Sequence, residues 1–189
     1  MNHVPPPLPK ATELAHQLIR ERLTEGDTAI DATVGNGHDT LFLANLVGPK
    51  GKVIGFDIQS QAIRSTRERT ASLKQVSLIQ AGHEAMGDTV DGEAGAVMFN
   101  LGYLPSGDKS VTTLPATTLE ALESAKEILA PYGMISIALY TGHTGGNAEA
   151  EAVEDWCQNL PQDHYAVAKY HFINQRNSPP QLIVVQRRS

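Results

Sequence analysis

Asp31-Ala32-Thr33-Val34-Gly35-Asn36-Gly37, followed twenty residues after Gly37 by Asp57, sets two acids and two glycines at the spacing of a strand, a tight turn, a helix and a second strand. Without a Cβ, Gly35 and Gly37 let the backbone take positive φ and approach a ligand closely. Asp57 closes the run Lys52-Val53-Ile54-Gly55-Phe56, where a carboxylate accepts hydrogen bonds from ribose hydroxyls. The chemistry implied is binding of a nucleoside-containing cofactor. A dinucleotide fingerprint needs a third glycine where this chain has Thr40, so a pyrophosphate ligand, and with it a nicotinamide-dependent oxidoreductase, is disfavoured.

A second constellation follows a later apolar run. Asn100-Leu101-Gly102-Tyr103 resembles the Asn-Pro-Pro-Tyr motif of amino-directed methyltransferases, with Leu101 and Gly102 in place of both prolines. In that chemistry the asparagine and nearby carbonyls accept hydrogen bonds from the target amine and aim its lone pair, while the aromatic ring packs on the acceptor. Asp108 and then His143 are the candidates for receiving a proton, on the strength of their position after two successive strands. His83 follows another strand, where a polar side chain reaches an adenine edge. His38 and Asp39 stand at a helix start, and Asp39 suits a capping role because the helix dipole favours an acid there. Asp-x-Thr-x-Gly-x-Gly itself resembles motif I of S-adenosylmethionine-dependent methyltransferases, whose donor carries no phosphate.

The elements that must position these residues alternate. A stiff Pro5–Pro9 leader, within a leader spanning residues 1–10, precedes a helix carrying Leu14, Ala15, Leu18, Ile19 and Leu23 at helical spacing until Gly26. Strands are expected at Ala29–Ala32, Val53–Phe56, Val76–Ile79, Ala94–Phe99 and Met134–Leu139. Helices are expected after the glycine turn, over Ser60–Ala71, from a Thr117/Glu120 capping box, and over Ala148–Leu160, where the acids cluster towards the N-terminus. Two last strands, near Ala166–Ile173 and Leu182–Val185, are joined by a segment too short for a helical crossover and must pair antiparallel. The expectation is one Rossmann-like α/β domain over residues 1–189: a seven-stranded, mostly parallel sheet with a C-terminal antiparallel hairpin and helices on both faces. Every polar cluster follows a strand, the edge on which such sheets bind ligands.

The chain has 189 residues, 41% of them hydrophobic, which fits one well-cored domain. A net charge of −6 supplies no overall attraction to nucleic acid, so an RNA substrate would depend on local cations such as Lys109, Lys169, Arg176, Arg187 and Arg188. A single cysteine, Cys157, excludes an internal disulfide and any multi-cysteine metal site, and the histidines show no metal-ligand spacing. No metal is expected. The N-terminus has neither the basic start nor the apolar run of a signal peptide, and no run of eighteen apolar residues occurs, so a cytoplasmic protein without a membrane span is expected. No motif bears on a homodimer, with which the composition is compatible.

Four stretches together, Asp-Ala-Thr-Val-Gly-Asn-Gly-His-Asp-Thr, Phe-Asp-Ile-Gln, Phe-Asn-Leu-Gly-Tyr-Leu-Pro-Ser-Gly-Asp-Lys-Ser and Phe-Ile-Asn-Gln-Arg-Asn-Ser-Pro-Pro, resemble the MnmM/YtqB family, long labelled rRNA methylases. The resemblance runs from about Ala11 to Val185, and its third and fourth motifs are the most specific. It implies a class I methyltransferase fold and transfer of methyl from S-adenosylmethionine to the aminomethyl nitrogen of 5-aminomethyl-2-thiouridine at the wobble position of tRNA, in the anticodon region. The cofactor is then expected on Asp31, Thr33, Gly35, Asn36 and Gly37, and on Asp39, Asp57, Gln59, His83 and Asn100. Asn100, Tyr103, Asp108 and His143 are the catalytic candidates, and Lys109, Tyr140, Arg176 and Asn177 the substrate contacts, Arg176 towards phosphate. Alternatives are an rRNA, protein or small-molecule acceptor, or a non-catalytic cofactor- or RNA-binding module.

Overall fold

A computed structural model describes residues 7–102, 104, 112–142 and 145–189. Its elements are α1 (Ala11–Arg20), β1 (Thr28–Asp31), α2 (His38–Val47), β2 (Lys52–Phe56), α3 (Ser60–Arg69), β3 (Val76–Ile79), α4 (Met86–Thr89), β4 (Ala94–Leu101), α5 (Pro115–Ile128), β5 (Leu129–Leu139), α6 (Gly146–Gln158), β6 (Tyr165–Tyr170) and β7 (Gln181–Arg187). The sheet order is β3-β2-β1-β4-β5-β7-β6. β1 to β5 run parallel, while β7 pairs antiparallel with both β5 and β6. The reversed strand is the second of the hairpin, one place in from the edge. Chain direction across the sheet switches between β1 and β4, whose carboxyl ends open the crevice in which such sheets bind ligands.

Period-two alternation explains the two cores. Ile30, Val97, Phe99, Ile135 and Ile137 point to the face covered by α5 and α6, where Leu122, Ala125, Val153 and Cys157 are buried. Ala29, Val53, Ala96, Met98 and Met134 point to the other face, covered by α1 and α2 through Ala11, Ala15, Ile19, Leu43 and Val47. Burial pushes the Cys157 thiol up to about 12, so it behaves as a small apolar group. Ala11, Ala15 and Ile19 recur every four residues, which turns Thr12 and His16 together towards the crevice. Tyr170 Oη donates to the Pro9 carbonyl at 2.8 Å and ties the start of α1 to β6.

Three expectations are corrected. The first helix begins at Ala11 and ends at Arg20, with the Glu13 carboxylate accepting from the Lys10 N–H; Leu23 is buried beyond its end. α5 starts at Pro115 with Leu114 as N-cap, so Thr117 lies inside it and its hydroxyl donates back to the Leu114 carbonyl rather than forming a capping box. A 3₁₀ turn, His83–Ala85, and the one-turn α4 lie between the expected strands Val76–Ile79 and Ala94–Phe99, where no helix is expected because four residues are too few to show a helical period. Among the described residues no helix is long and apolar enough to cross a membrane.

Candidate active site

The turn after β1 is held by two carboxylates with different tasks. Asp31 is fully buried, accepting from the Thr33 N–H at 3.2 Å and the Thr40 hydroxyl at 2.6 Å. Burial, reinforced by the charge of Asp39, pushes its pKa up to about 7. It therefore lies behind the crevice wall and shapes the turn. Thr40, the residue in the third-glycine position, is its partner. Asp57 lines the crevice, with Oδ2 accepting from the Gly35 N–H at 2.9 Å and Oδ1 from the Gln59 N–H at 2.8 Å.

The two glycines also divide their work. Gly35, at φ 52°, lies on the crevice wall with Thr33 and Asn36. Gly37, at φ 75°, lies behind it, and a Cβ there would sit 2.5 Å from Thr66 Oγ1. Its missing side chain serves packing against α3. Thr66 in turn donates to the Gly35 carbonyl and Arg69 to that of Asn36, so α3 clamps the turn from outside.

At the end of β4, the Asn100 backbone N–H donates to Thr33 Oγ1 at 2.7 Å and its Nδ2 to Asp39 Oδ2 at 2.5 Å. The other Asp39 oxygen lies 2.6 Å from His16 Nε2. Asp39 is thus no helix cap: the N-cap of α2 is Gly37, and both carboxylate oxygens are engaged by side chains from α1 and β4. The His16 ring stacks on Phe42 at 3.8 Å and 6°. Tyr140 follows β5 on the crevice rim, its phenol pKa raised by burial and then by the charge of Asp39.

His83 reaches the crevice from the 3₁₀ turn but is almost wholly buried, edge-on to Phe99 and 3.5 Å from Thr118 Oγ1. Its pKa is lowered by burial, which favours the neutral ring. Thr118 donates to Glu149 Oε1 and Thr113 to Glu149 Oε2, both at 2.7 Å, and Thr113 N–H closes on the Gly102 carbonyl. Glu149, a buried carboxylate in the first turn of α6, thereby fastens the returning Thr112–Leu114 segment. Nothing in its local sequence separates it from the other acids of that helix.

The crevice encloses about 750 Å³ and gathers Thr33, Gly35, Asn36, Asp39, Asp57, Gln59, His83, Asn100 and Tyr140 from the expected residues. Asp31 and Gly37 lie behind it. Arg176 and Asn177 are exposed on the β6–β7 connection and do not line it; Ser178 does. Tyr103, Asp108, Lys109 and His143 fall outside the described residues. Two of the cations expected to serve RNA are otherwise engaged: Lys169 Nζ pairs with Glu154 at 2.5 Å, and Arg187 Nη1 donates to the Leu129 carbonyl at 2.5 Å. Sequence reasoning missed Thr12 and His16, which sit on a helix that carries no chemical motif.

The described lining carries the carboxylates of Asp39, Asp57 and Glu84 and no lysine or arginine. Such a lining offers no cation to a pyrophosphate and suits a donor bearing a sulfonium and an ammonium, so the residues present fit S-adenosylmethionine. A switch-point crevice of this charge, on a seven-stranded sheet with an antiparallel C-terminal hairpin, defines a class I methyltransferase that uses S-adenosylmethionine. Residues 53–186 match the family described as "Putative rRNA methylase", and the chain belongs to that family.

It is 41% identical, over 94% of its length and 70% of the relative's, to the "tRNA (mnm(5)s(2)U34)-methyltransferase, chloroplastic" of Arabidopsis thaliana. The crystal structure of a "putative rRNA-methylase" from Clostridium thermocellum superposes with a TM-score of 0.94 at 43% identity, covering 96% of this chain and 100% of the other. A "putative methyltransferase" from Streptococcus mutans, solved in complex with SAH, gives 0.88 at 39% identity, covering 96% and 99%.

Proposed function

We propose that this enzyme methylates the aminomethyl nitrogen of 5-aminomethyl-2-thiouridine at the wobble position of tRNA. The observation that carries the reading is Asn100: an amide at the carboxyl end of β4, held through its backbone by Thr33 and through its side chain by Asp39, inside a crevice without cations among its described residues. With one amide N–H spent on Asp39, the acceptor it offers a ligand is the carbonyl oxygen, which suits an amine N–H. The name of the Arabidopsis relative supports the choice of nucleoside.

When bound, S-adenosylmethionine supplies the methyl group: a carbon–nitrogen bond forms as the carbon–sulfur bond breaks, the electron pair staying on sulfur and one proton leaving the nitrogen. Asp57 accepts from the ribose hydroxyls, and the Gly35 turn lets the backbone close on the nucleoside. Asn100 turns the amine so that its lone pair faces the methyl carbon, and such alignment contributes several kcal/mol, about 7 to 11 at the upper limit. An acceptor titrating like lysine, near ~10.4, costs roughly 4 to 5 kcal/mol to neutralise at pH 7. Asp108, or His143 after it, takes that proton. Arg176 and Asn177, exposed beside the Ser178 end of the crevice, meet the anticodon backbone. The reading carries with it a cytoplasmic location.

The test is incubation with S-adenosylmethionine and tRNA bearing 5-aminomethyl-2-thiouridine, followed by nucleoside mass spectrometry. A gain of one methyl on that nucleoside is expected. Its absence, with methyl appearing on an rRNA, a protein or a small molecule instead, rejects the assigned acceptor.

A further inference from the structure

We infer that His16, through Asp39, is a positioning residue for the acceptor site, setting both the orientation of the Asn100 amide and the charge it sits beside; the inference rests on the proposed amine acceptor. An ionised carboxylate only accepts hydrogen bonds. Asp39 has His16 Nε2 at 2.6 Å on one oxygen and Asn100 Nδ2 at 2.5 Å on the other, so both neighbours must present N–H to it. Two assignments follow: His16 carries a proton on Nε2, and Asn100 is turned with its nitrogen to Asp39 and its carbonyl left for a ligand.

His16 cannot easily leave this arrangement. Its ring lies flat on Phe42, and its helix is buried through Ala15 and Ile19 on either side. The consequence is electrostatic as well as geometric. A bare carboxylate beside the reacting nitrogen would favour the ammonium, which has no lone pair to give. The imidazole N–H shares the Asp39 charge on the α1 side, so less of it faces the amine that Asn100 receives.

The experiment compares wild type, His16→Ala and His16→Gln in kcat and KM on the thiouridine tRNA, with S-adenosylmethionine affinity by calorimetry and imidazole ¹⁵N NMR of the wild type and Asp39→Asn. H16A is expected to lose about 10- to 100-fold in kcat, the scale of misplacement in an aligned site, a loss larger than any change in cofactor affinity. H16Q, whose amide N–H replaces the Nε2 donor, recovers most of that loss. The NMR signature is the Nε2–H tautomer, shifted in D39N.

Wild-type kcat in H16A, an Nδ1–H tautomer in the wild type, or H16Q as poor as H16A would each overturn the inference, the last by making the imidazole itself the reacting base. A wild type inactive on this tRNA rejects the acceptor instead, and the tautomer measurement still decides the His16–Asp39 link.

Discussion

The Gly35 N–H donates to Asp57 Oδ2 at 2.9 Å, so the glycine turn and the acid 22 residues later form one hydrogen-bonded unit. With Gln59 N–H on Oδ1, the carboxylate is already aimed before a ribose arrives. Asp57→Ala removes the ribose acceptors and leaves two N–H groups without their partner. The expected result is S-adenosylmethionine binding weaker by about 100-fold and a stability loss of about 1–3 kcal/mol. Calorimetry and urea unfolding measure the two effects, and a Kd within threefold of wild type removes Asp57 from the cofactor site.

Gly37 is held at φ 75° with Thr66 where a Cβ would be. Gly37→Ala therefore adds backbone strain to a steric clash, and a loss of about 1–3 kcal/mol is expected in urea unfolding. Thr66→Ala should be non-additive with it, because the clash is shared. Additive losses would show that the two residues do not meet.

Asp31 gives the stability a pH dependence of known sign. Its folded pKa, about 7, is above the ordinary value of 3.8, so between those values the folded state binds more protons than the unfolded. The contribution is full below about 4 and is lost as pH rises through about 7. Unfolding free energy is expected to fall over that window in wild type and to lose this component in Asp31→Asn, which keeps an acceptor for the Thr33 N–H. Parallel wild-type and D31N profiles would show that Asp31 is ionised throughout.

Glu149 accepts from Thr113 and Thr118 in a buried site. Glu149→Ala strips both hydroxyls of their partner and is expected to cost about 1–3 kcal/mol, while Glu149→Gln, whose carbonyl still accepts, costs less. Limited proteolysis should cut E149A faster near Thr113 than wild type. Equal cutting would detach Glu149 from that segment.

Arg176 is exposed and does not line the crevice that Ser178 reaches. Arg176→Ala is expected to weaken tRNA binding about 3- to 10-fold, to reduce the salt dependence by about one charge, and to leave S-adenosylmethionine affinity unchanged. Filter binding at several salt concentrations reads both effects; an unchanged salt slope excludes a phosphate contact.

The local pattern of the chain by itself determined the strand–helix alternation, the antiparallel terminal hairpin and the motif residues Thr33, Gly35, Asp57 and Asn100, because two- and four-residue periodicities and turn chemistry are written over short distances. Val76–Ile79 is predicted to the residue. Tertiary structure decided what each acid does. Asp31 withdraws behind the wall to bond Thr40, Asp39 gives up a capping role to join His16 and Asn100, and Glu149 separates from its helix neighbours by being buried. The Asp39 role depends on side chains 23 and 61 residues away from it in sequence meeting at its carboxylate. The packing of α1 and β4 around α2 brings them together, and no local period records it.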